Sequence, residues 1–128
     1  MKYKIVQETK TTLPTYGKFR AAAKHNVEVD SKQIVKEVAK NGVYTEDVVE
    51  GIVTRLSDVI FRHLRNGDKV RLKDFGMMKL EIESEKVDSP EEFKPKKHIK
   101  GVRLHFIPES NKGKQELYEG IKFEKEKY

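Results

Sequence analysis

The stretch NGDKVRLKDFG, residues 66–76, joins a helical pattern to a strand pattern and decides how the rest of the sequence is interpreted. The pair Asn66-Gly67 tolerates a left-handed backbone and typically ends a helix. Residues 69–72, KVRL, have the β-branched and aliphatic character of a short strand. At Phe75-Gly76 the chain is expected to turn into a second strand. The glycine there permits a positive φ or a close backbone approach, and the phenylalanine is expected to fill the core beneath.

Two longer segments after this stretch predict a β-hairpin. In residues 76–85 and 99–107, apolar and polar residues alternate with a period of two, which indicates one buried and one solvated face. The connection VDSPEEFKPKKH contains Pro90 and Pro95 and therefore cannot be a central strand. Together with the short strand at 69–72, these segments predict a three-stranded sheet with a long β-ribbon arm.

Two helices are predicted before this sheet. Asp30 begins the first helix in a capping-box-like pattern, and Thr45 caps the second. The apolar residues of the second helix span an arc of about 160° at about 100° per residue, wider than a surface stripe requires. This helix is therefore expected to pack on both the first helix and a partner subunit. His63 projects within the same arc, and we expect it in the core or at the interface.

The two ends of the sequence are predicted to add smaller elements. Residues 2–8 and 16–23 look like two short strands joined by the polar turn TKTTLPT. After Pro108 ends the ribbon, Ser110 is a candidate cap for a short C-terminal helix. The apolar anchors of that helix would be Leu117, Tyr118 and Ile121. The remaining tail, KFEKEKY, is polar and is expected to fray.

Composition excludes several classes of protein. The 128 residues include no cysteine, which excludes disulfides, thiolate metal sites and thiol catalysis. The histidines show no ligand spacing, and no phosphate-loop, dinucleotide-binding or serine-hydrolase motif occurs. We therefore expect no enzyme activity, no metal, no cofactor and no small-molecule substrate. No apolar run could cross a bilayer, so we expect no membrane association and a cytoplasmic location.

Charge points to an anionic partner. The 27 Lys and Arg residues exceed the 21 Asp and Glu residues, giving a formal net charge of +6. Two windows, 9–27 and 93–108, contain no acid, whereas 81–92 is strongly acidic. The predicted ribbon is thus acidic on its outgoing half and basic on its returning half. Basic residues on a ribbon can contact DNA phosphates, but a solvated strand face with intramolecular Lys–Glu pairs fits the charge pattern equally well.

The motif carried by residues 66–76 and the ribbon resembles the bacterial HU and integration-host-factor family of DNA-binding proteins. The resemblance rests on a helix, a G-[DE]-x-V-x-L-x-x-F-G stretch, a long ribbon and an F-x-P ending, and it spans roughly residues 31–119. It is closest to a divergent branch with an extra N-terminal strand region. The motif residues are Leu72, Phe75, Gly76, Phe106 and Pro108.

The resemblance implies a fold, a division of the chain and a function. The expected fold is an α+β intertwined dimer with an extra N-terminal β-hairpin and a short C-terminal helix. The expected divisions are an N-terminal β extension (1–29), an HU-like DNA-binding domain (30–119) and a polar tail (120–128). Such histone-like dimers, formed with a second copy or a paralogue, embrace the duplex from the minor-groove side in the nucleoid. They bend and condense DNA with little base readout.

The expected DNA-contacting residues follow from this resemblance and from the basic windows. On the ribbon they are Lys79, Lys86, Lys94, Pro95, Lys96, Lys97, Lys100, Arg103 and His105, and in the N-terminal extension they are Lys18, Arg20 and Lys24. Pro95, flanked by lysines, is the better candidate for a wedge between base pairs. Phe93 could either stack on a nucleotide or pack within the hairpin tip.

The sequence departs from the family pattern where the ribbon should meet DNA. The Arg-Asn-Pro motif of the family's arm tip is absent, and Glu81 and Glu83 occupy positions that usually carry arginines. Pro108-Glu109-Ser110 replaces the family's Pro-Gly-Lys. An alternative function therefore stays open, in which a scaffolding dimer keeps the fold but has lost ordinary DNA binding.

Overall fold

The structure, a computed structural model, describes residues 1–111 and 114–126 and has the mixed α+β composition that the sequence predicts. The helices are α1 (Ser31–Ala39), α2 (Glu46–Arg65) and the four-residue α3 (Pro95–His98). The strands are β1 (Lys2–Gln7), β2 (Phe19–Lys24), β3 (Val70–Leu72), β4 (Gly76–Ser84), β5 (Ile99–Pro108), β6 (Ser110–Asn111), β7 (Lys114–Gln115) and β8 (Glu124–Lys125).

The chain divides into two compact units. The terminal unit comprises residues 1–31 and the C-terminal residues from Tyr118 onward, and the central unit comprises Lys32–Leu117. No helix among residues 1–111 and 114–126 is long and apolar enough to span a membrane. The same residues contain no cluster of three His, Asp or Glu side chains arranged to hold a metal ion.

The long helix of the central unit begins and ends at the residues that favour those positions. The Thr45 hydroxyl accepts a hydrogen bond from the Val48 N–H at 3.3 Å, satisfying one of the donors that a helix start leaves free. At the other end Asn66 is the C-cap and Gly67 has φ +90°, a left-handed conformation that stops the helix. These signals are local, so the sequence predicts both ends of α2 well.

The sheet of the central unit has the order β3-β4-β5, with both pairs antiparallel. Gly76 begins β4 opposite Pro108 and has φ +154°. A Cβ at this position would lie 2.4 Å from the Ile107 carbonyl oxygen and 2.8 Å from the Phe106 ring. Only glycine therefore fits where the chain turns into the ribbon.

The core of the central unit is small. Its buried apolar residues are Val35, Val49, Leu64 and Met78. In the described part of the chain no side chain is completely buried. The expectation that Phe75 fills the core is wrong for a single chain, because this side chain is 58% exposed, although its ring lies 5.1 Å from the Phe106 ring.

The connection between β4 and β5 folds into a compact tip. The pairing ends at Ser84 and Ile99, and the residues between them form a 3₁₀ turn at Pro90–Glu92 followed by α3. His98 lies at the end of α3 and is buried. The tip is therefore a folded element and not an open loop.

The predicted C-terminal helix is replaced by a small hairpin and a single turn. Ser110 does not cap a helix but pairs in β6 with Gln115 of β7. A 3₁₀ turn follows, at Glu116–Tyr118, and Gly120 with φ +73° prevents its continuation. The anchor Ile121 lies outside any helix.

The terminal unit is a three-stranded sheet of order β2-β1-β8. The predicted N-terminal hairpin is present, with its second strand beginning at Phe19 instead of residue 16. The tail was expected to fray, but Glu124–Lys125 form β8, which pairs in parallel with β1. The terminal ammonium of Met1 also donates a hydrogen bond to the Lys122 carbonyl at 2.6 Å. The predicted boundaries at 29/30 and 119/120 stay an interpretation of the sequence.

Candidate nucleic-acid interface

The ribbon has one apolar face and one charged face, as its alternating sequence predicts. The register places Lys79 opposite His105 and Glu81 opposite Arg103. Because alternate residues of a strand share a face, these four side chains and Glu83 lie on the same side of the ribbon. We call this side the charged face of the ribbon.

Ion pairs occupy most of the charged face. The Arg103 guanidinium donates to Glu81 Oε2 at 3.2 Å and lies 4.0 Å from Glu83 Oε1. Lys79 Nζ is 3.6 Å from the other oxygen of Glu81. Two of the predicted DNA-contacting cations are therefore paired with carboxylates of β4, as the intramolecular Lys–Glu alternative anticipated.

The same contacts shift the titration of Glu81. The hydrogen bond from Arg103 is the main cause that holds the pKa of Glu81 below its usual 4.5, with smaller contributions from the charges of His105 and Lys79. The carboxylate consequently stays ionised at neutral pH and remains available to Arg103.

A second ion pair lies where the ribbon enters the tip. Lys100 Nζ is 3.0 Å from Glu85 Oε1. The hydrogen bond from Lys100 lowers the pKa of Glu85, with contributions from the nearby charges of Lys100, His98 and Lys97. At the base of the ribbon, Arg71 Nη1 donates to both carboxylate oxygens of Glu109, at 2.8 and 3.0 Å. Between the base and the tip, the basic side chains of the sheet are thus largely compensated.

The tip, in contrast, carries lysines without an ion-pair partner in the described part of the chain, beside the exposed acids Asp88, Glu91 and Glu92. Lys86, Lys94, Lys96 and Lys97 are exposed, and within the described residues no carboxylate lies within 4.0 Å of their ammonium groups. Pro95 is the first residue of α3 and is also exposed. The structure therefore brings four of the predicted site lysines and the predicted wedge to one end of the ribbon.

Packing inside the tip holds these lysines on a folded support. The Phe93 and His98 rings are 5.4 Å apart, and the Lys94 N–H donates to His98 Nδ1 at 2.8 Å. The Glu85 N–H donates to the His98 carbonyl at 2.8 Å and ties α3 to the outgoing strand. Of the two roles considered for Phe93, the structure shows the packed one.

The N-terminal candidates lie in the other unit. Arg20 and Lys24 belong to β2, Lys18 precedes it, and Lys24 forms an ion pair with Glu126. The register adds Lys2 and Lys4 to the same side of the sheet, and the sequence analysis missed both. Their signal was the alternation Lys2-Tyr3-Lys4 within a predicted strand.

The motif residues lie together at the base of the ribbon, and His63 lies apart from them. The Phe75 and Phe106 rings are 5.1 Å apart, and Gly76 pairs with Pro108. His63 is not a core residue in the single chain, since it is half exposed and its Nδ1 donates to Asp68 Oδ2 at 2.9 Å.

Comparison with known proteins places the chain in a family. The fold and the ribbon define an HU-like protein, and a family model described as "HU domain fused to wHTH, Ig, or glycine-rich motif" matches residues 1–125. The chain belongs to this family. Among curated proteins, no sequence matches significantly.

Two solved structures resemble the chain. One is from Bacteroides vulgatus ATCC 8482 and is described as a candidate bacterial DNA-binding protein. It has a TM-score of 0.62 and 13% sequence identity over 98% of this chain, which spans only 47% of that protein's length. At this identity the likeness shows the fold alone. An HU–DNA cocrystal structure from Anabaena has a TM-score of 0.42 and 20% identity, covering 62% of this chain and 83% of that one. A score this low does not establish a shared fold.

Proposed function

We propose that this protein binds double-stranded DNA with little sequence preference, through the tip of its ribbon, and acts by binding and not by catalysis. The observation that carries the proposal is the contrast along the ribbon. Lysines at the tip are exposed and unpaired among the described residues, whereas Arg103, Lys79 and Lys100 are held by carboxylates. Free ammonium groups on a folded support can replace the counterions of a DNA backbone.

The chemistry of the tip favours backbone contact over base readout. Lysine is a flexible point charge, and contacts of this kind position a protein on DNA without reading its sequence. Membership of an HU-like family and a fold shared with a candidate DNA-binding protein support the same conclusion.

We further propose that two chains form a dimer through α2. Val48, Ile52 and Leu56 are 47%, 53% and 41% exposed in the single chain, and with Val59 they form a continuous apolar surface beside Gly51. A second copy would cover this surface and supply the burial that the small core lacks.

Dimerisation would also explain how the protein could bend DNA. Two tips related by symmetry would contact the duplex at two separated places, and Pro95 could insert as a wedge at each. Double-stranded DNA as the partner implies a nucleoid-associated role in the cytoplasm. Formation of the same dimer with a paralogue is compatible with this proposal.

Fluorescence anisotropy with two unrelated duplexes over a series of salt concentrations tests the proposal. The triple variant Lys94→Gln/Lys96→Gln/Lys97→Gln is expected to lower the slope of log K against log salt by about 2.7, since each lost phosphate contact removes about 0.9. The control Lys32→Gln/Lys36→Gln/Lys40→Gln removes the same charge from exposed positions of α1 and of the residue that follows it, and is expected to keep the wild-type slope. Absence of binding at low salt, or equal slopes in the two variants, would contradict the proposal.

The compensated charged face of the ribbon favours a second function, that of a scaffolding dimer. Glu81 holds Arg103 and Lys79, so the face that should approach DNA has little free positive charge. A wild-type protein that dimerises but binds neither duplex at low salt would support this alternative.

A further inference from the structure

The sheet of the terminal unit has two chemically different faces. The register pairs Lys2 with Lys24, Lys4 with Ala22 and Val6 with Arg20. Because paired residues of antiparallel strands point to the same side and alternate residues share a face, the cations of both strands gather on one side. We call this side the basic face; its cations are Lys2, Lys4, Lys18, Arg20 and Lys24.

Lys18 joins the basic face through the continuation of the hairpin beyond β1. The Glu8 N–H donates to the Lys18 carbonyl at 2.9 Å, and the Gly17 N–H donates to the Glu8 carbonyl at 3.1 Å. Glu8 therefore lies on the same side, next to Lys18, and its Oε1 accepts a hydrogen bond from the Lys10 N–H at 3.0 Å. The opposite face of the sheet is apolar and carries Tyr3, Ile5, Ala21, Ala23 and Phe123.

The arrangement of the basic face does not serve the stability of the hairpin. Lys2 and Lys24 are direct cross-strand partners, and like charges placed opposite each other destabilise a sheet. Lys4 and Arg20 are exposed, and no ion pair of either is present among the residues that the structure describes. Strands also hold such charges at fixed spacings, about 4.8 Å between strands and about 6.8 Å along one strand.

The strand β8 brings carboxylates to this face. Glu124 pairs with Lys2 in the parallel register, so it lies on the same side, and Glu126 follows two residues later. Glu126 forms an ion pair with Lys24 and also donates its N–H to the Tyr3 carbonyl at 2.8 Å. Of the two lysines that repel each other, Lys24 is therefore compensated by Glu126, while Lys2, Lys4 and Arg20 have no ion pair among the residues that the structure describes.

We propose that the basic face is a second binding surface for the phosphodiester backbone of duplex DNA, separate from the ribbon tip, and that Glu124 and Glu126 compete there with DNA phosphates. Lys4 and Arg20 make the permanent contacts, Lys24 becomes available when Glu126 releases it, and Glu124 repels phosphate from its register partner Lys2. This inference rests on the proposed function, because it assigns a further contact to the same ligand.

Fluorescence anisotropy of duplex binding by the full chain, measured over a series of salt concentrations, tests the proposal. Lys4→Gln and Lys125→Gln each remove one positive charge, from opposite faces of the same sheet. Lys4→Gln is expected to lower the slope of log K against log salt by about 0.9, and Lys4→Gln/Arg20→Gln by about 1.8. Lys125→Gln is the control, since Lys125 pairs with Tyr3 and lies on the apolar side. It is expected to keep the wild-type slope.

The carboxylates give a test in the opposite direction. Glu124→Gln/Glu126→Gln is expected to steepen the slope by about 0.9, because Lys24 loses its ion-pair partner and is released to a phosphate. The Lys24–Glu126 pair is partly exposed, and pairs of this kind contribute little to stability, so the variant is expected to keep its circular dichroism spectrum. An unchanged slope in a folded variant would overturn the competition by β8.

The outcomes separate this proposal from the function on which it rests. A wild-type protein that binds no duplex at low salt overturns both. A wild-type protein that binds with a steep slope, which Lys4→Gln/Arg20→Gln leaves unchanged, overturns the basic face and leaves the ribbon tip intact. An equal loss of slope in Lys4→Gln and Lys125→Gln also overturns it, since net charge would then explain the effect.

Discussion

Arg103 of β5 lies directly opposite Glu81 of β4 and donates a hydrogen bond to its Oε2 over 3.2 Å. Because Glu81 holds the guanidinium of Arg103, this side chain of β5 is less available to DNA phosphates. The contact also explains why β5, although its sequence is basic, does not give the ribbon a basic surface.

Replacing the carboxylates of Glu81 and Glu83 should allow the body of the ribbon to contact DNA. In Glu81→Gln/Glu83→Gln, both Arg103 and Lys79 lose their ion-pair partners. The salt slope of duplex binding is expected to steepen by about 0.9 for each cation that reaches a phosphate. Glu37→Gln/Glu50→Gln, with two exposed helical carboxylates, is the control. A slope that stays at the wild-type value would show that DNA does not contact the body of the ribbon.

The titration of Glu81 should report the same contact. Because Arg103 lowers its pKa in the folded protein, this carboxyl favours folding above its ordinary pKa of 4.5, and that contribution is lost as the pH falls through the lower folded value. An NMR titration of the Glu81 carboxyl carbon is expected to give a midpoint below 4.5, and Arg103→Gln is expected to raise it. An unshifted midpoint in the wild type would contradict the observed hydrogen bond.

The elements that the sequence predicts well depend on neighbouring residues. Thr45 and Asn66-Gly67 set the ends of α2 within one turn, and the period-two alternation of 76–85 needs no distant partner to be recognised. The strand β8 is different, because its two residues become a strand only by pairing with β1, more than 120 positions away. No local signal in KFEKEKY predicts such a partner.

The candidate site could be predicted only in part, for a related reason. The acid-free window identifies Lys94, Lys96 and Lys97 as candidates, but charge counted along the chain does not show which cations meet carboxylates on the neighbouring strand. The register decides that Arg103 faces Glu81. The burial of His98 depends on how a proline-rich connection packs around Phe93, and that stretch has no periodicity from which packing could be inferred.

The tip should lose its shape when His98 is removed. In His98→Ala, the Lys94 N–H loses its acceptor and Phe93 loses its ring partner. Loss of one hydrogen bond costs about 1 kcal/mol, so amide exchange at Lys94 is expected to accelerate about fivefold. Duplex affinity is expected to fall as well, because the lysines lose their support. His25→Ala, in an exposed segment, is the control, and equal exchange rates in the two variants would refute the packing role.

The turn into the ribbon should tolerate no side chain. In Gly76→Ala, the new Cβ would meet the Ile107 carbonyl oxygen at 2.4 Å, and a backbone atom cannot move aside as a side chain can. A destabilisation of about 1–3 kcal/mol is expected from urea unfolding at a fixed protein concentration. Gly101→Ala lies in the paired strand with nothing within 4 Å of its new Cβ, and is expected to change stability by less than about 0.5 kcal/mol. Equal effects of the two changes would contradict this account.

The apolar surface of α2 should fail as an interface when a charge is placed in it. Ile52→Lys would bury an ammonium group without a partner in each copy, at a cost of about 3 kcal/mol or more, which weakens association at least about 100-fold. Thr54→Lys adds the same charge to an exposed position two residues away, outside the apolar surface, and is expected to leave association unchanged. Sedimentation velocity at micromolar concentration distinguishes the two variants. A wild-type chain that is folded and monomeric under these conditions would remove the dimer from the proposed function. In that case the exposed Val48, Ile52 and Leu56 would mark a surface for a different partner, because contiguous exposed apolar patches typically mark interaction sites.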